Sequence, residues 1–543
     1  MRIGLAQVNA TVGDLIGNLD ILKKTWGQAQ AKNCDFVLFP ELFLSGYPPE
    51  DLILKPAFLH DNEKTLKNIS QTVNDFSGVV GFIEINKKNK PFNSAAVFKN
   101  GKIISRYQKC CLPNYGVFDE ERYFSKGSKI KVFTYQNIKI GLTICEDIWV
   151  IDEHIKKLKK EKPDFVINIS ASPFHKSKLS HRHKVIAKTA KILGCPVIYC
   201  NLIGGQDELV FDGGSFIVAP NGKILAQAPL FKEGLFVVDI SKNNKKLLIQ
   251  PEWELTPPLT ELEEIHAGLV LGLKDYVNKN GFKKVALGLS GGIDSSLVVA
   301  LAVEALGSDR VVGITMPSRY NSSETKSYAR KCAENLGIEF MEIPIQNIYE
   351  NFLSSLKKSF EGTQSGLAEE NIQARVRGTL LMALSNKFGW LILTTGNKSE
   401  TSTGYCTLYG DTAGGLAVLK DILKTTVFDL CRQINKKQGK EIIPESVITR
   451  PPTAELRDNQ KDEDSLGKYA DLDPIITGYV EENKSIQELI KENPKNPDYV
   501  RKIVSLIDRN EYKRRQAPPG IKITSRSFGR DHRMPMTNKY KSS

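Results

Sequence analysis

Three polar side chains in the first half of the sequence stand at the ends of apolar, strand-like runs: Glu41, Lys109 and Cys145. A thiol attacks through its thiolate, a carboxylate can accept the thiol proton, and an ammonium can offset the charge of a tetrahedral oxyanion. Strand ends let a rigid sheet aim side chains into one cleft. The trio therefore suits acyl transfer from an amide through a thioester.

The second half carries a loop that could hold phosphate. An apolar run at residues 285–289 leads into Ser-Gly-Gly-Ile-Asp-Ser-Ser at residues 290–296, and an apolar helix follows. Small residues let backbone N–H groups approach an anion, and the helix N-terminus adds partial positive charge. The lysine of a Walker loop is absent, so the motif is not GxxxxGK(S/T), and a purely structural Gly-rich turn is the other interpretation. Asp294 offers carboxylate oxygens, which Mg²⁺ prefers, to a metal that bridges phosphates.

The elements that must position these side chains differ between the two halves. In the first half, short β-rich runs alternate with helical patterns, and Asn-Gly turns at residues 100–101 and 221–222 predict hairpins. Hairpins mixed with helices favour an α+β or sandwich layout. In the second half, strands and helices alternate, which favours a doubly wound parallel sheet. The strands predicted there are residues 284–289, 311–316, 339–343 and 390–394. The predicted helices are residues 260–278, a helix that follows the Gly-rich loop and ends at Leu306, and residues 323–336.

A polar, lysine-rich stretch that ends in Pro257-Pro258 separates the halves. We therefore predict a first domain over residues 1–245, a linker over 246–258 and a second domain over 259–543, which closes in a basic C-terminal tail.

Composition excludes some classes of protein. The chain has 543 residues, of which 41% are hydrophobic and 25% charged, as in globular proteins and unlike disordered ones. The net charge of +13 suits anionic partners, either nucleic acid or phosphorylated small molecules. The nine cysteines form no CxxC pair, the first eight residues look like a strand rather than a secretory signal, and the most apolar stretch contains Asp294 and Glu304. We expect a reduced, cytoplasmic protein that does not span a membrane.

The flanks of the trio resemble the nitrilase (carbon–nitrogen hydrolase) superfamily. The matching segments are Pro40-Glu41-Leu42, Tyr107-Gln108-Lys109 and Cys145-Glu146-Asp147-Ile148-Trp149, and the resemblance spans roughly residues 1–245. It implies an αββα sandwich in which Glu41 is the general base, Lys109 stabilises the oxyanion and Cys145 is the nucleophile. Glu120 matches the second glutamate of that family, which supports the lysine and the substrate amide. Residues 170–174 resemble the glutamine-binding segment of the glutaminase branch, which implies that Tyr115, Ser172 and Lys178 hold the amino-acid end of glutamine.

The loop at residues 290–296 matches the PP-loop of the N-type ATP pyrophosphatases, which split ATP into AMP and pyrophosphate to adenylate an acceptor. A nitrilase-type glutaminase ahead of a PP-loop resembles the family of glutamine-dependent NAD⁺ synthetases. Segments at residues 369–375, 394–400, 404–411 and 512–520 resemble that family as well. The resemblance therefore covers nearly the whole chain.

This resemblance implies the substrates and their contacts. Glutamine or ammonia supplies nitrogen, ATP is a co-substrate, deamido-NAD⁺ is the acceptor and Mg²⁺ is the cofactor. Asn371, Glu400 and Lys513 would bind deamido-NAD⁺, and Asp294 and Glu400 would hold Mg²⁺. The residues implied for ATP are Gly288, Leu289, Ser290, Gly291, Gly292, Ile293, Asp294, Ser295, Ser296 and Thr395. We expect a homo-oligomer that binds neither nucleic acid nor membrane.

Two alternatives stay open from the residues. One is a PP-loop tRNA-modifying enzyme or another adenylating amidotransferase, since such enzymes are also basic. The other is a non-catalytic binding protein built from decayed domains, against which the intact trio and loop count.

Overall fold

The computed structural model describes residues 1–88, 90–243, 246–457, 460 and 462–540, with the side chain of Lys246 left out of that description. Residue 245, where the first predicted domain ends, and residues 541–543 of the predicted basic tail lie outside the described residues. The chain forms two compact units, Met1–Leu259 and Thr260–Ser543, each described here by itself. Among the described residues, none of the helices combines the length and the apolar character needed to cross a membrane. All nine cysteines are free thiols.

Unit 1 is built from strands in pleated sheets with helices on their outer faces. Its strands are β1 (Arg2–Gln7), β2 (Phe36–Leu38), β3 (Gly78–Ile85), β4 (Pro91–Lys99), β5 (Lys102–Gln108), β6 (Lys131–Tyr135), β7 (Ile138–Ile144), β8 (Phe165–Ser170), β9 (Val197–Asn201), β10 (Ile203–Gln206), β11 (Leu209–Asp212), β12 (Phe216–Val218), β13 (Ile224–Gln227), β14 (Gly234–Asn243) and β15 (Lys246–Pro251). Its helices are α1 (Leu15–Ala31), α2 (Pro56–Thr72), α3 (Glu120–Tyr123), α4 (Glu153–Lys160) and α5 (Lys178–Leu193).

The strands form two large sheets that pack face to face. One has the order β15-β14-β1-β2-β3-β4-β5, the other β13-β12-β9-β8-β7-β6, and β10 pairs with β11 separately. Alternate residues of β8 explain the layering, because successive side chains of a strand point to opposite faces. Phe165 and Ile167 join the core between the sheets, whereas Val166 joins the core beneath α4 and α5. Helices α1 and α2 cover the other sheet through Trp26 and Leu66. The layers are α, β, β and α, as predicted.

Both Asn-Gly turns join antiparallel strands, as predicted. β4 pairs with β5 across Asn100 and Gly101, and both turn residues have positive φ, 48° and 71°. β12 pairs with β13 across the turn that contains Gly222 at φ 84°.

Unit 2 contains one parallel sheet. Its strands are β16 (Val285–Gly288), β17 (Val311–Thr315), β18 (Glu339–Glu342), β19 (Leu391–Thr394) and β20 (Leu416–Ala417). Its helices are α6 (Glu261–Lys279), α7 (Ile293–Leu306), α8 (Ser323–Leu336), α9 (Gln346–Leu356), α10 (Leu367–Phe388), α11 (Lys398–Thr403), α12 (Lys424–Gln438), α13 (Glu445–Thr449), α14 (Glu463–Leu466), α15 (Tyr469–Ile476), α16 (Ile486–Glu492), α17 (Pro497–Arg509) and α18 (Glu511–Arg514).

The strand order of this sheet is β18-β17-β16-β19-β20, and every pairing is parallel. The chain runs outward from β16 in one direction and then returns to β19 on the other side. Such a reversal opens a crevice at the carboxyl ends of the strands, where doubly wound sheets bind ligands. The doubly wound prediction is confirmed. A second small core, formed by α15, α16 and α17 around Leu472, Leu489 and Ile503, stands beside the sheet.

The stretch predicted as a linker is not irregular throughout. Residues 246–251 form β15, which pairs antiparallel with β14 at the edge of the seven-stranded sheet. The apolar run Leu247-Leu248-Ile249 stands within a polar, lysine-rich stretch, and it forms an edge strand where side chains remain accessible to water.

Gly81 of β3 yields a prediction about stability. A Cβ at this position would stand 2.4 Å from the Leu42 amide nitrogen and 2.4 Å from the Pro40 carbonyl oxygen, both rigid backbone atoms. Gly81→Ala should therefore lower the free energy of unfolding by about 2 kcal/mol or more through overpacking. Gly27→Ala is the control, because Gly27 lies in α1 with open space around its Cβ position, and alanine there should stabilise by about 0.5–1 kcal/mol. Equal effects of the two substitutions in thermal or urea unfolding would contradict this packing.

Candidate active sites

The three side chains predicted to act together in unit 1 lie at one place. Glu41 follows β2, Lys109 follows β5 and Cys145 follows β7, and all three are buried. The Lys109 ammonium donates to Glu41 Oε1 at 2.7 Å and to the two oxygens of Glu120 at 2.8 and 2.9 Å. The charges of Glu41, Lys109 and Glu120 all act on the Cys145 thiol. The structure therefore brings the predicted trio and the predicted second glutamate into one buried cluster.

Burial and charge determine the proton affinities in this cluster. Burial alone would lower the pKa of Lys109, but Glu120 and Glu41 raise it well above the ordinary lysine value. Burial raises the pKa of Glu120 to about 7 although Lys109 opposes the shift. Burial, together with the nearby Glu41 carboxylate, raises the pKa of the Cys145 thiol well above its usual value. Cys145 thus rests as a neutral thiol, and it needs a base to become a nucleophile.

The turn that carries Cys145 has a constrained backbone. Cys145 has φ +41°, which is unusual for a residue with a side chain, and it opens the short 3-10 turn Cys145–Ile148. Asp147 holds this turn, because its carboxylate accepts from the Ile144 amide at 2.9 Å. The Asn168 side chain donates to the Cys145 carbonyl at 3.3 Å. The unusual backbone conformation at Cys145 is therefore fixed by buried hydrogen bonds.

Asp147 also lies near Cys110 and His154, and the three could form a metal-binding group by distance. However, Asp147 already accepts from the amides of Cys110 and Cys111 at 2.9 and 2.8 Å, from Ile144 and from the Tyr107 hydroxyl at 2.7 Å. Four donors occupy the lone pairs that a metal would need. This carboxylate fits a structural role.

Two of the residues predicted to hold the amino-acid end of glutamine, Tyr115 and Lys178, interact electrostatically with the Cys145 thiol. Tyr115 donates its hydroxyl to Glu146 at 3.1 Å, and the Lys178 ammonium lies 4.8 Å from the centre of the Trp149 ring. Burial, and then the Arg182 charge, lower the pKa of Lys178 to about 8. Lys178 and Glu146 also interact electrostatically. A cation and an anion thus lie beside the candidate nucleophile.

Ser172 is held by groups that the sequence did not single out. Buried Arg182 donates to the Ser172 hydroxyl at 3.1 Å and to its carbonyl at 3.0 Å, and pairs with buried Asp212 at 2.8 Å. Asn201 accepts the Ser172 amide at 3.0 Å. Hydrogen bonds to both its amide and its carbonyl therefore hold the Ser172 backbone in place.

In unit 2, a cavity of ≈ 310 Å³ opens at the carboxyl ends of β16, β17 and β19. The predicted ATP residues that line it are Gly288, Leu289, Ser290, Gly291, Gly292, Ile293, Asp294, Ser295 and Thr395. Gly291 has φ +83°, and a Cβ there would lie 2.2 Å from the Thr325 carbonyl oxygen, so only glycine fits. No side chain caps α7, which starts at Ile293, and its first N–H groups can therefore face an anion.

Charged groups converge at the end of this cavity. The Lys424 ammonium donates to Asp294 and, at 3.3 Å, to Glu400, and Asn397 donates to Asp294 at 2.9 Å. Burial, with repulsion from Asp294 and Asp462, raises the pKa of Glu400 to about 8 although Lys424 opposes it. Asp294 and Glu400, both predicted as metal ligands, thus share one lysine.

Three predicted residues do not line the cavity. Ser296 donates its hydroxyl to the Gly292 carbonyl at 2.9 Å, within its own helix. Asn371 accepts from Thr407 at 2.7 Å, and Lys513 donates to the Gly404 carbonyl at 2.7 Å. Asn371 and Lys513 therefore both bind the loop of residues 404–407, of which Tyr405 and Thr407 line the cavity.

Sequence reasoning missed several polar residues of both sites. In unit 1, buried Asn93 donates to Glu41 at 2.7 Å and Tyr47 donates to Glu120 at 2.9 Å. In unit 2, Lys424 lies between two predicted metal ligands. The signal for Asn93 was a polar residue inside the apolar strand β4, whereas Lys424 at the start of α12 looks like any helix lysine.

Comparisons with known proteins agree with this division. A carbon-nitrogen hydrolase profile matches residues 2–247, and an NAD synthase profile matches residues 265–517. A glutamine-dependent NAD(+) synthetase of Thermotoga maritima is 44% identical over 100% of this chain and 99% of its own length. The chain belongs to the family of glutamine-dependent NAD(+) synthetases. Another member, from Synechocystis sp., is 45% identical over 99% of each chain.

A solved structure of this family covers the whole chain. The glutamine-dependent NAD+ synthetase of Acinetobacter baumannii, in complex with adenosine diphosphate, has 42% identity, a TM-score of 0.80 and coverage of 100% of this chain and 99% of that one. The predicted fold class, a nitrilase-type sandwich joined to a PP-loop domain, is confirmed.

Proposed function

We propose that this chain converts deamido-NAD⁺ into NAD⁺ with ATP and with glutamine as nitrogen donor. One observation carries the proposal: a buried Cys–Glu–Lys cluster and a phosphate loop occur in one chain that resembles glutamine-dependent NAD(+) synthetases over its full length. The alternative of a tRNA-modifying PP-loop enzyme is not favoured, because the NAD synthase profile matches residues 265–517. The partners we infer are small molecules, glutamine or ammonia, deamido-NAD⁺ and ATP, and the protein acts as a homo-oligomer without nucleic acid or membrane.

In the first site, Glu41 takes the proton of the Cys145 thiol, and the thiolate attacks the side-chain carbonyl carbon of glutamine. Lys109 lies within 2.7 Å of Glu41 and offsets the charge of the oxyanion that forms. When the intermediate collapses, the carbon–nitrogen bond breaks and Glu41 returns the proton to the leaving ammonia. Water then attacks the thioester and releases glutamate and the free thiol.

Recognition of glutamine requires groups of opposite charge, since the amino acid is a zwitterion. Lys178 suits the α-carboxylate and Glu146 suits the α-ammonium, while Tyr115 and Ser172 supply hydroxyl groups. Glu146 follows Cys145 directly in sequence, so one turn supplies both the group that binds the α-ammonium and the thiol that attacks the side-chain amide.

In the second site, the backbone of residues 288–295 and the N-terminus of α7 hold the phosphates of ATP, and Thr395 contacts the nucleotide. The nicotinate carboxylate attacks the α-phosphorus, pyrophosphate leaves and an acyl adenylate forms. Ammonia then displaces AMP and gives the amide. Asn371, Glu400 and Lys513 hold deamido-NAD⁺.

The residues at the end of the cavity fit a magnesium ion. Asp294 and Glu400 offer carboxylate oxygens, and Asp462 has a buried Oδ1 with no hydrogen-bond partner among the described residues. A divalent cation at this place would relieve the repulsion among the Asp294, Glu400 and Asp462 carboxylates. Mg²⁺ bound by Asp294 and Glu400 would neutralise charge on the departing pyrophosphate.

The first test separates the two sites by nitrogen source. Cys145→Ala should lower NAD⁺ formation from glutamine at least about a thousandfold, because the nucleophile is lost, and leave formation from ammonium chloride within about twofold. NAD⁺ is read with a coupled dehydrogenase. Cys195→Ala, another buried cysteine of unit 1, is the control and should keep both activities. Loss of the ammonia-dependent reaction in Cys145→Ala would sink the assignment of separate sites.

The second test uses the lowered pKa of Lys178. Its pKa of about 8 means that the ammonium is present near neutral pH and is lost as the pH rises through that value. The KM for glutamine should rise on the order of tenfold between about pH 7 and about pH 9, with kcat followed separately. Lys178→Arg keeps its charge and should flatten this dependence, whereas the exposed control Lys188→Arg should behave as the wild type. A wild-type KM that stays flat contradicts the role of Lys178.

The third test addresses the metal. Asp294→Asn removes one carboxylate charge, so the Mg²⁺ concentration needed for half-maximal NAD⁺ formation from ammonia should rise about tenfold or more. Asp309→Asn, on the surface of unit 2, should leave the magnesium titration unchanged. Identical titrations for the two variants would remove Asp294 from the metal site.

A further inference from the structure

The cluster in unit 1 contains two carboxylates that could each act as a base. Both are buried, and both accept the same Lys109 ammonium at 2.7–2.9 Å. Lysine alone therefore does not distinguish Glu41 from Glu120. Another group must decide which of them receives the proton of the Cys145 thiol.

Asn93 is the group that treats the two carboxylates unequally. Its side-chain nitrogen lies 2.7 Å from Glu41 Oε1 but 3.5 Å from Glu120 Oε2. Ionised carboxylates only accept hydrogen bonds, so the NH₂ end of the amide must face them. The first distance is a strong hydrogen bond, and the second is at the limit of one.

The backbone of Asn93 fixes that direction. Asn93 is 1% exposed, lies in β4 opposite Ile83 of β3, and its carbonyl accepts the Lys109 amide at 2.8 Å. The same residue thus holds the Lys109 backbone and the Glu41 side chain. A shift of Asn93 would move base and lysine together.

The other contacts extend the asymmetry. Glu41 Oε2 accepts the Ala171 amide at 2.9 Å, so Glu41 receives donors on both oxygens, two of them neutral and rigid. Glu120 has one such neutral donor at short distance, the Tyr47 hydroxyl at 2.9 Å. Hydrogen bonds donated to a carboxylate favour its ionised form. Burial raises the pKa of Glu120 to about 7.

We propose that Asn93 is a positioning residue that makes Glu41, rather than Glu120, the carboxylate that accepts the Cys145 proton. Asn93 acts by donating its amide N–H to Glu41 Oε1, which holds that carboxylate in place and aims it. The proton moves from the sulfur to Glu41 and later from Glu41 to the departing ammonia, so it ends on the product. This inference rests on the proposed glutamine hydrolysis in unit 1.

Two substitutions of similar size separate the donor from the packing. Asn93→Leu removes the donor, and Asn93→Asp replaces it with an acceptor that faces Glu41. In Asn93→Leu, kcat with glutamine should fall on the order of tenfold, and the acidic limb of the pH profile should move up by about one pH unit. The KM for glutamine should stay within about twofold, since Asn93 does not hold the amino-acid end. Asn93→Asp should lower kcat further.

A matched control lies in helix α2, which packs against the strand beside Asn93. Asn62 is fully buried and accepts the amide of Ile83, the cross-strand partner of Asn93, at 3.1 Å, but contacts neither Glu41 nor Lys109. Asn62→Leu should lower the melting temperature and leave kcat and the pH profile with glutamine unchanged. The rate with ammonia serves as the internal control for folding in every variant.

The outcomes are distinguishable. If the wild type makes no NAD⁺ from glutamine, the proposed function fails. If the wild type does so and Asn93→Leu keeps its kcat and pH profile, the proposal for Asn93 is overturned. Equal losses in Asn93→Leu and Asn62→Leu would also overturn it, since both would then act through stability alone.

Discussion

The buried Lys109 ammonium, shared between Glu41 and Glu120, is the interaction on which unit 1 depends. Three charges removed from water are tolerated only when their partners are close and their remaining hydrogen bonds are satisfied. Removing one partner of such a group typically costs about 3–5 kcal/mol. Much of the surrounding structure meets this requirement. Gly81 lets the strand approach the turn that carries Glu41, and the Ala171 amide completes the carboxylate. A consequence of this cluster is that burial and the Glu41 carboxylate raise the pKa of the Cys145 thiol beside it.

Unit 2 uses the same electrostatic arrangement with a different outcome. Lys424 stands between Asp294 and Glu400 as Lys109 stands between two glutamates, and Glu400 is again a carboxylate whose pKa is raised by burial. The difference lies in access. The Lys109 cluster is buried, whereas Asp294, Glu400 and Lys424 line a cavity that opens beside a phosphate loop. A cation and phosphates can therefore reach the second cluster. In the proposed reaction, contacts with them would replace the ion pairs of Lys424 with Asp294 and Glu400.

The fold class and the ends of the strands could be predicted from the sequence, because hydrophobic periodicity and turn residues are local signals. The limits of β7 and α8 fall where apolar runs and caps put them, and Asn-Gly turns marked both hairpins. Composition misled at residues 246–251, since the polar residues around Leu247-Leu248-Ile249 made the edge strand β15 part of a predicted linker. Glu41, Lys109 and Cys145 could be found because they end strands. Asn93 showed only as a polar residue inside an apolar strand, and Asp147, Arg182 and Lys424 could not be found, because their importance comes from partners distant in sequence. Long-range pairing of buried polar groups leaves no local pattern.

The central claim is that Cys145, in a cluster organised by Lys109, forms a covalent thioester with the carbon chain of glutamine. The most direct test is to quench the wild-type protein in acid during turnover of carbon-labelled glutamine, from milliseconds to steady state, and to locate the label by peptide mass spectrometry. We expect a glutamyl adduct on the peptide that contains Cys145, at most one per chain, removed by hydroxylamine. Turnover of glutamine with an adduct on another residue, or with no adduct at any time, would contradict it.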